Sequence, residues 1–199
     1  MSAVKSKAKA QHEIREFDLA RVRRLWGRTL EVHLSLYEGY VEQLNGLVGS
    51  VGRSIDPETF ARRFAFEHNG VVLHESFFES LSGEAKPLAE SGALAGELKR
   101  SFGGIADWRA DVRELATVRG IGWIALVHSP ATGRLHNIWI DEHQLSVPAL
   151  ADVLALIDLW EHAWLLDYAP KDRGRFVSDV IEQFNWAVIE SRLRARAGN

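Results

Sequence analysis

Asp158-Leu159-Trp160-Glu161-His162-Ala163 sets a carboxylate and an imidazole four residues apart, between apolar runs at 153–157 and 164–166. Ionisable groups in apolar surroundings are costly unless they are paired or bound to a metal. A carboxylate plus an imidazole is half of a hard or borderline transition-metal site. An Asp-x-x-x-His pair taken alone reads instead as an amphipathic helix with a surface Asp and a hydrogen-bonded core His. The rest of the chain decides between the two.

The chain has 199 residues, 46% of them hydrophobic and 26% charged, which is ordinary globular composition. A net charge of -3 gives no reason to expect a nucleic-acid partner or a membrane surface. The absence of cysteine excludes disulfides, thiol catalysis and thiolate metal sites, and it fits a reducing cytoplasm. The first ten residues are basic but lack the apolar core of a signal peptide, and no run approaches a membrane-spanning length. Residues 1 to about 15 read as a disordered, charged arm.

From Phe17 the pattern turns helical. Apolar residues at 19, 22, 25, 26, 30, 34, 37, 41, 44 and 47 keep a rough three/four spacing. A long helix is expected, with Gly27 a candidate break, ending at Gly46 to Gly49. His33 and Tyr40 lie seven apart on it, so they share one stripe. A loop follows over 49–54. Asp56 and Pro57 are a capping carboxylate and a first-turn proline, so a second helix starts there and runs to about Leu81. Phe60, Phe64, Val71, Phe78 and Leu81 would line one face, with His74 among them. Two long helices joined by a short loop make an antiparallel hairpin, with one inward His on each arm.

Residues 82–87 break the pattern and mark a boundary between a hairpin unit (16–86) and a C-terminal unit (87–199). Shorter helices are expected near 92–101 and 105–118. Residues 122–127 are rich in strand formers, 129–133 form a turn, and 135–141 alternate as a partner strand. Residues 153–157 fit a buried third strand, and 175–194 a closing helix. The fold class is α+β: a long helical hairpin, then a three-stranded antiparallel sheet with flanking helices.

The string Asp158, Trp160, Glu161, His162, Ala163 resembles the Asp-x-Trp-Glu-His-Ala signature of the iron/manganese superoxide dismutases. The resemblance extends to Leu30-Glu31-x-His33, Tyr40-Val41, Leu44-Asn45, His74-x-x-Phe77-Phe78-x-x-Leu81, Gly120-x-Gly122-Trp123 and Asn185-Trp186. It implies His33, His74, Asp158 and His162 as ligands of one Mn or Fe ion per subunit. It implies disproportionation of superoxide to oxygen and peroxide, in which the metal alternates between oxidation states. The donor set is hard to borderline and suits those metals. The family tunes such a metal through a neighbouring Gln. At the position four before His74 this chain has Gly70. At the later position it offers His143, with Gln144 as the less favoured choice. His143 resembles a His-bearing archaeal branch of the family, and a His there could titrate near neutral pH. Tyr40 matches the gateway tyrosine, Trp123 and Trp160 the cavity walls, and Glu161 the residue that reaches the last His ligand of the partner subunit. A symmetric homodimer is therefore expected, with pairing of dimers into tetramers left open.

Some positions depart from the family. His33 and Tyr40 are one residue closer than usual, so the first helix should lack a wide turn. Leu36 and Leu165 stand where the family pairs a His with a Tyr across subunits, and Trp164 stands where a Tyr is usual. Losing both partners leaves no orphaned polar group, and a drier gateway is expected, with Tyr40 and His143 relaying protons and Tyr37 a possible substitute. Two other classes stay in view: a non-catalytic interaction module on the same fold, and a different Mn or Fe redox enzyme. Bound-metal analysis with a superoxide assay separates them. The choice of Fe or Mn stays open, with Gly70 leaning towards the manganese layout.

Overall fold

The computed structural model describes residues 11–50 and 55–197, without the side chains of 23–26, 196 and 197. Residues 1–10 of the expected arm, residues 51–54 of the expected loop, and the Leu25 and Trp26 side chains lie outside that description.

Helix α1 spans Arg23–Gly49 and α2 spans Pro57–Glu79. Asp56 caps α2 by accepting the Thr59 N–H at 3.0 Å, with Pro57 in its first turn. Leu30, His33, Tyr37, Val41 and Leu44 are buried along one stripe of α1. On α2, the residues buried against that stripe include Gly70, Val71, His74, Phe77 and Phe78. Gly27 does not break α1, since one helix-interior glycine costs only about 1 kcal/mol. The hairpin departs from expectation at two places. Residues 17–22 are not helical: Phe17, Leu19 and Val22 step by two and three, and reach the core from a turn. Phe64 is exposed, because the first turns of α2 project past the core and Phe60, Phe64 and His68 stack on one another there.

Residues 11–18 run without regular structure along the hairpin. His12 exchanges backbone hydrogen bonds with the Asn45 carboxamide at 2.8 and 2.9 Å, and its Nε2 lies 2.6 Å from Glu75. Arg15 pairs with both Glu75 and Glu79.

Helices α3 (Ala93–Phe102) and α4 (Ile105–Leu115) precede strands β1 (Gly122–Ser129), β2 (Arg134–Asp141) and β3 (Asp152–Asp158). The sheet order is β2-β1-β3, with β1 antiparallel to both neighbours. Residues 122–127 of β1 are all buried, as befits a central strand covered on both faces. Register places Trp123 opposite Ile140 on one side and Asp158 on the other. Gly122 takes φ +151, and a Cβ there would lie 2.1 Å from the Ile140 carbonyl oxygen, so β1 can begin beside Asp158 only with glycine at this position.

The expected closing helix is two helices, α5 (Arg173–Glu182) and α6 (Trp186–Ala197). Between them the chain leaves helical geometry to pair with the end of the hairpin. Ser82 N–H donates to Gln183 O at 2.8 Å, and Asn185 N–H to Ser80 O at 2.7 Å. This long-range pairing buries Phe184 fully and outweighs the local helical spacing.

Candidate metal centre

Four elements bring one polar group each to a common point. His33 comes from α1 and His74 from α2. Asp158 ends β3, where Leu159 N–H donates to Gly122 O at 2.8 Å. The chain then turns on Asp158 itself, whose Oδ1 accepts the Trp160 N–H at 2.7 Å. A single 3-10 turn, Glu161–Ala163, brings His162 back over the carboxylate. The opening hexapeptide is thus a strand end and a tight turn, not an amphipathic helix.

The Nε2 atoms of His33, His162 and His74 lie 2.9, 3.4 and 3.6 Å from Asp158 Oδ2. One donor atom from each of the four residues falls within 4.8 Å of all the others. His33, His74 and Asp158 are buried, and the His162 side chain keeps 16% exposure with its Nε2 buried.

The hydrogen bonding supports a cation at this point. His74 Nδ1 donates to Gly70 O at 2.5 Å, which puts the lone pair on Nε2. The Nε2 atoms of His74 and His162 are buried and have no hydrogen-bond partner. Each such orphan costs about 1–3 kcal/mol, and a metal ion removes that cost. Burial pushes the His33 and His74 imidazoles down, His74 strongly, so both are in the neutral form that binds metal. Burial would raise Asp158, but the facing His162 and His33 imidazoles, His33 at hydrogen-bond distance, override it and hold the carboxyl well below the usual range. Three imidazoles and one carboxylate fit Mn or Fe.

A second layer adjoins the cluster. His143 is fully buried on the loop after β2. Trp123 Nε1 donates to its Nδ1 at 3.1 Å. Indole has no acceptor, so His143 Nδ1 carries the lone pair and Nε2 the proton. That N–H donates to the Tyr40 hydroxyl oxygen at 2.8 Å. Tyr40 therefore accepts from His143, and its own O–H is left to point elsewhere. The Trp160 ring stacks on His143 at 4.7 Å, and Phe66 packs against it at 4.9 Å. Burial pushes His143 down to about 4 and raises Tyr40, so both are neutral at pH 7. This differs from the near-neutral titration considered for His143 from its residue type alone.

Gly70 faces the Tyr40 ring, and a Cβ there would lie 2.6 Å from Tyr40 Cδ1. Gly70→Ala is expected to push the ring off His143 and to destabilise the protein by about 1–3 kcal/mol. Urea denaturation checks the stability, and the imidazole NMR signals of His143 check the lost contact.

Other residues singled out in the sequence lie elsewhere. Gln144 turns back to Glu142 and to its own loop backbone, away from Tyr40. Tyr37 is buried and engaged by the 11–18 segment and α2, its hydroxyl donating to Glu75 at 2.8 Å and accepting the Arg15 N–H at 3.0 Å. It is no substitute in a gateway relay. Burial raises its phenol to about 12. Trp164 is buried against Phe176 at 6.3 Å. Leu36 and Leu165 are 38% and 37% exposed, and Glu161, four residues before Leu165, is exposed as well. Sequence reasoning missed Phe66, four before Gly70 on α2 and so on the same face, and Asn69, a lone polar residue with no periodic signal.

An α+β fold with three histidines and one aspartate around a single point defines a mononuclear redox-metal protein. The family model for iron/manganese superoxide dismutases, C-terminal domain, matches residues 90–192. The iron superoxide dismutase of Pyrobaculum aerophilum is 31% identical over 81% of this chain and 80% of its own. The second manganese enzyme of Halobacterium salinarum is 32% identical over 79% and 80%. The Mn/Fe enzyme of Aeropyrum pernix is 28% identical over 84% and 81%. The chain belongs to the iron/manganese superoxide dismutase family.

Proposed function

We infer that this chain disproportionates superoxide to oxygen and hydrogen peroxide, with one Mn or Fe ion held by His33, His74, Asp158 and His162. The observation that carries this reading is the convergence of three imidazole Nε2 atoms on one buried carboxylate oxygen, two of those nitrogens lacking any other partner. When bound, the ion supplies one-electron chemistry at a potential between the two superoxide couples. Asp158 compensates part of the cation charge, and the imidazoles add no negative charge, so the site stays cationic enough to attract a small anion. Among the four residues His162 lies nearest the surface, and we place entry of the anion along its ring. Tyr40 holds a proton at its hydroxyl, oriented by the His143 Nε2–H, and Trp123 keeps His143 in the donating tautomer. Trp160 and Trp123 wall the cavity and exclude bulk water. The hairpin (16–86) and the C-terminal unit (87–199) each contribute two ligands, so the site closes only when both are folded.

We also assign a symmetric dimer, in which Glu161 reaches His162 of the partner subunit. In support, Val32, Leu36, Leu165 and Leu166 are 41, 38, 37 and 44% exposed, and α1 packs on the turn that carries Glu161. Exposed apolar residues gathered near a functional edge mark an interaction surface. Leu165→Asp is expected to shift the protein from twice the chain mass to the chain mass in sedimentation velocity. No described helix is long and apolar enough to cross a membrane. The cysteine-free chain suits a reducing cytoplasm, the compartment we assign to this protective activity.

Purified protein assayed for bound metal and for superoxide consumption tests the function. One Mn or Fe per chain with dismutation is expected. Metal without dismutation would point to another redox reaction on this scaffold.

A further inference from the structure

His143 is delivered by a short, strained loop. Glu142 has φ +50, outside the range most side chains adopt. Leu145 N–H returns to Asp141 O at 3.2 Å, closing a tight turn around His143. Such a loop does not fix the direction of its central side chain without outside anchors.

Two consecutive carbonyls of this loop are held from other elements. Trp160 Nε1 donates to Glu142 O at 3.3 Å. Asn69 Nδ2, on α2 and 74 residues away in sequence, donates to His143 O at 2.9 Å. The His143 carbonyl can only accept, which turns the Asn69 amide nitrogen to the loop, and Oδ1 then lies 3.2 Å from His68 Nδ1. The same stretch of α2 performs two further tasks. The missing Cβ of Gly70 makes room for the Tyr40 ring, and Gly70 O orients His74. Residues 69 and 70 therefore register His143, Tyr40 and the His74 ligand against one rigid helix.

We propose that Asn69 is a positioning residue, whose amide sets the His143 backbone and through it the His143–Tyr40 hydrogen bond. This rests on the dismutase reading of the site. Asn69 touches neither the ligands' donor atoms nor the substrate cavity in this role, and it acts only through His143. A carboxylate of the same shape cannot donate to a carbonyl. Asn69→Asp therefore removes the anchor and adds repulsion, while Asn69→Ala removes the anchor alone.

The test compares Asn69→Asp, Asn69→Ala and the parent chain, each as full-length protein. Metal content and melting temperature are measured first, then turnover per bound metal, then the 15N imidazole signals of His143 in metal-stripped protein. Both variants should keep their metal. Turnover per metal should fall about 10–100-fold, the usual effect of losing a partner outside the ligand shell. The His143 signals should move from one fixed Nε2–H tautomer to an averaged pattern, more so in Asn69→Asp. A general loss of stability would not produce that signature. Unchanged His143 signals, or a loss of turnover that follows metal content alone, would overturn the proposal. If the parent chain fails to dismutate superoxide, the functional reading falls. The imidazole signals then still decide whether Asn69 sets His143.

Discussion

Asp158→Asn is expected to abolish metal retention and dismutation together while leaving the fold intact. Asparagine has the same shape and still accepts the Trp160 N–H through its oxygen, so the turn after β3 survives. What is lost is the only anion among the four converging groups. A cation bound there would face neutral donors in a fully buried position, and an uncompensated buried charge is strongly unfavourable. The substituted carboxamide would also turn an N–H group towards imidazole lone pairs or towards the cation. His162→Ala should give the same double loss by a different route, since it removes a donor and opens the exposed edge. Metal analysis and a superoxide-consumption assay on the same samples check both variants, with circular dichroism to confirm folding. Retained metal in Asp158→Asn would mean that the carboxylate is not what holds the ion.

Stripping the metal is expected to lower the melting temperature by about 8–16 °C. An ion that binds only the folded chain, present at a thousand times its dissociation constant, contributes about 4 kcal/mol. For a chain of this size each kcal/mol shifts the midpoint by about 2–4 °C. Calorimetry before and after chelation measures it. The metal-stripped protein should also lose stability as pH falls below about 6.5, the ordinary imidazole value. His33, His74 and His143 are all held below that value by burial, His143 at about 4. In this window the unfolded chain binds protons that the folded chain refuses, so stability rises with pH and falls on acidification. Each refused proton costs about 1.4 kcal/mol per pH unit. Asp158 acts in the same direction but lower, since its depressed value loses stability only as pH drops past the ordinary carboxyl range. A flat stability between pH 7 and 5 in stripped protein would contradict the burial of these rings.

Most of the centre could be read from the chain, because its chemistry is local where it matters. Asp158 and His162 sit within one hexapeptide, and His33 and His74 each lie on a stripe that periodicity orients inward. The Asp56-Pro57 start of α2 and the alternation in β2 are equally local signals. The misses have a common origin in long-range pairing. Residues 17–22 carry helix-like apolar spacing, but the segment is held as a turn and strap by the hairpin beneath it. Residues 183–185 interrupt a plausible helix to pair with Ser80 and Ser82, which no local pattern announces. Tyr37 shares the buried stripe of α1 with His33, yet periodicity does not tell which buried neighbour a phenol meets. It meets Glu75, which His12 and Arg15 from the strap also pair with. Asn69 looks like any polar residue on a helix flank until the loop 74 residues later is folded against it.

The central claim is that these four side chains share one redox-active ion. Crystallography with anomalous scattering recorded at the iron and manganese edges tests it most directly. The expected result is one Fe or Mn peak per chain, bonded to the Nε2 atoms of His33, His74 and His162 and to an oxygen of Asp158. A fully dismutating crystal preparation whose anomalous peak lies away from these four residues would contradict it.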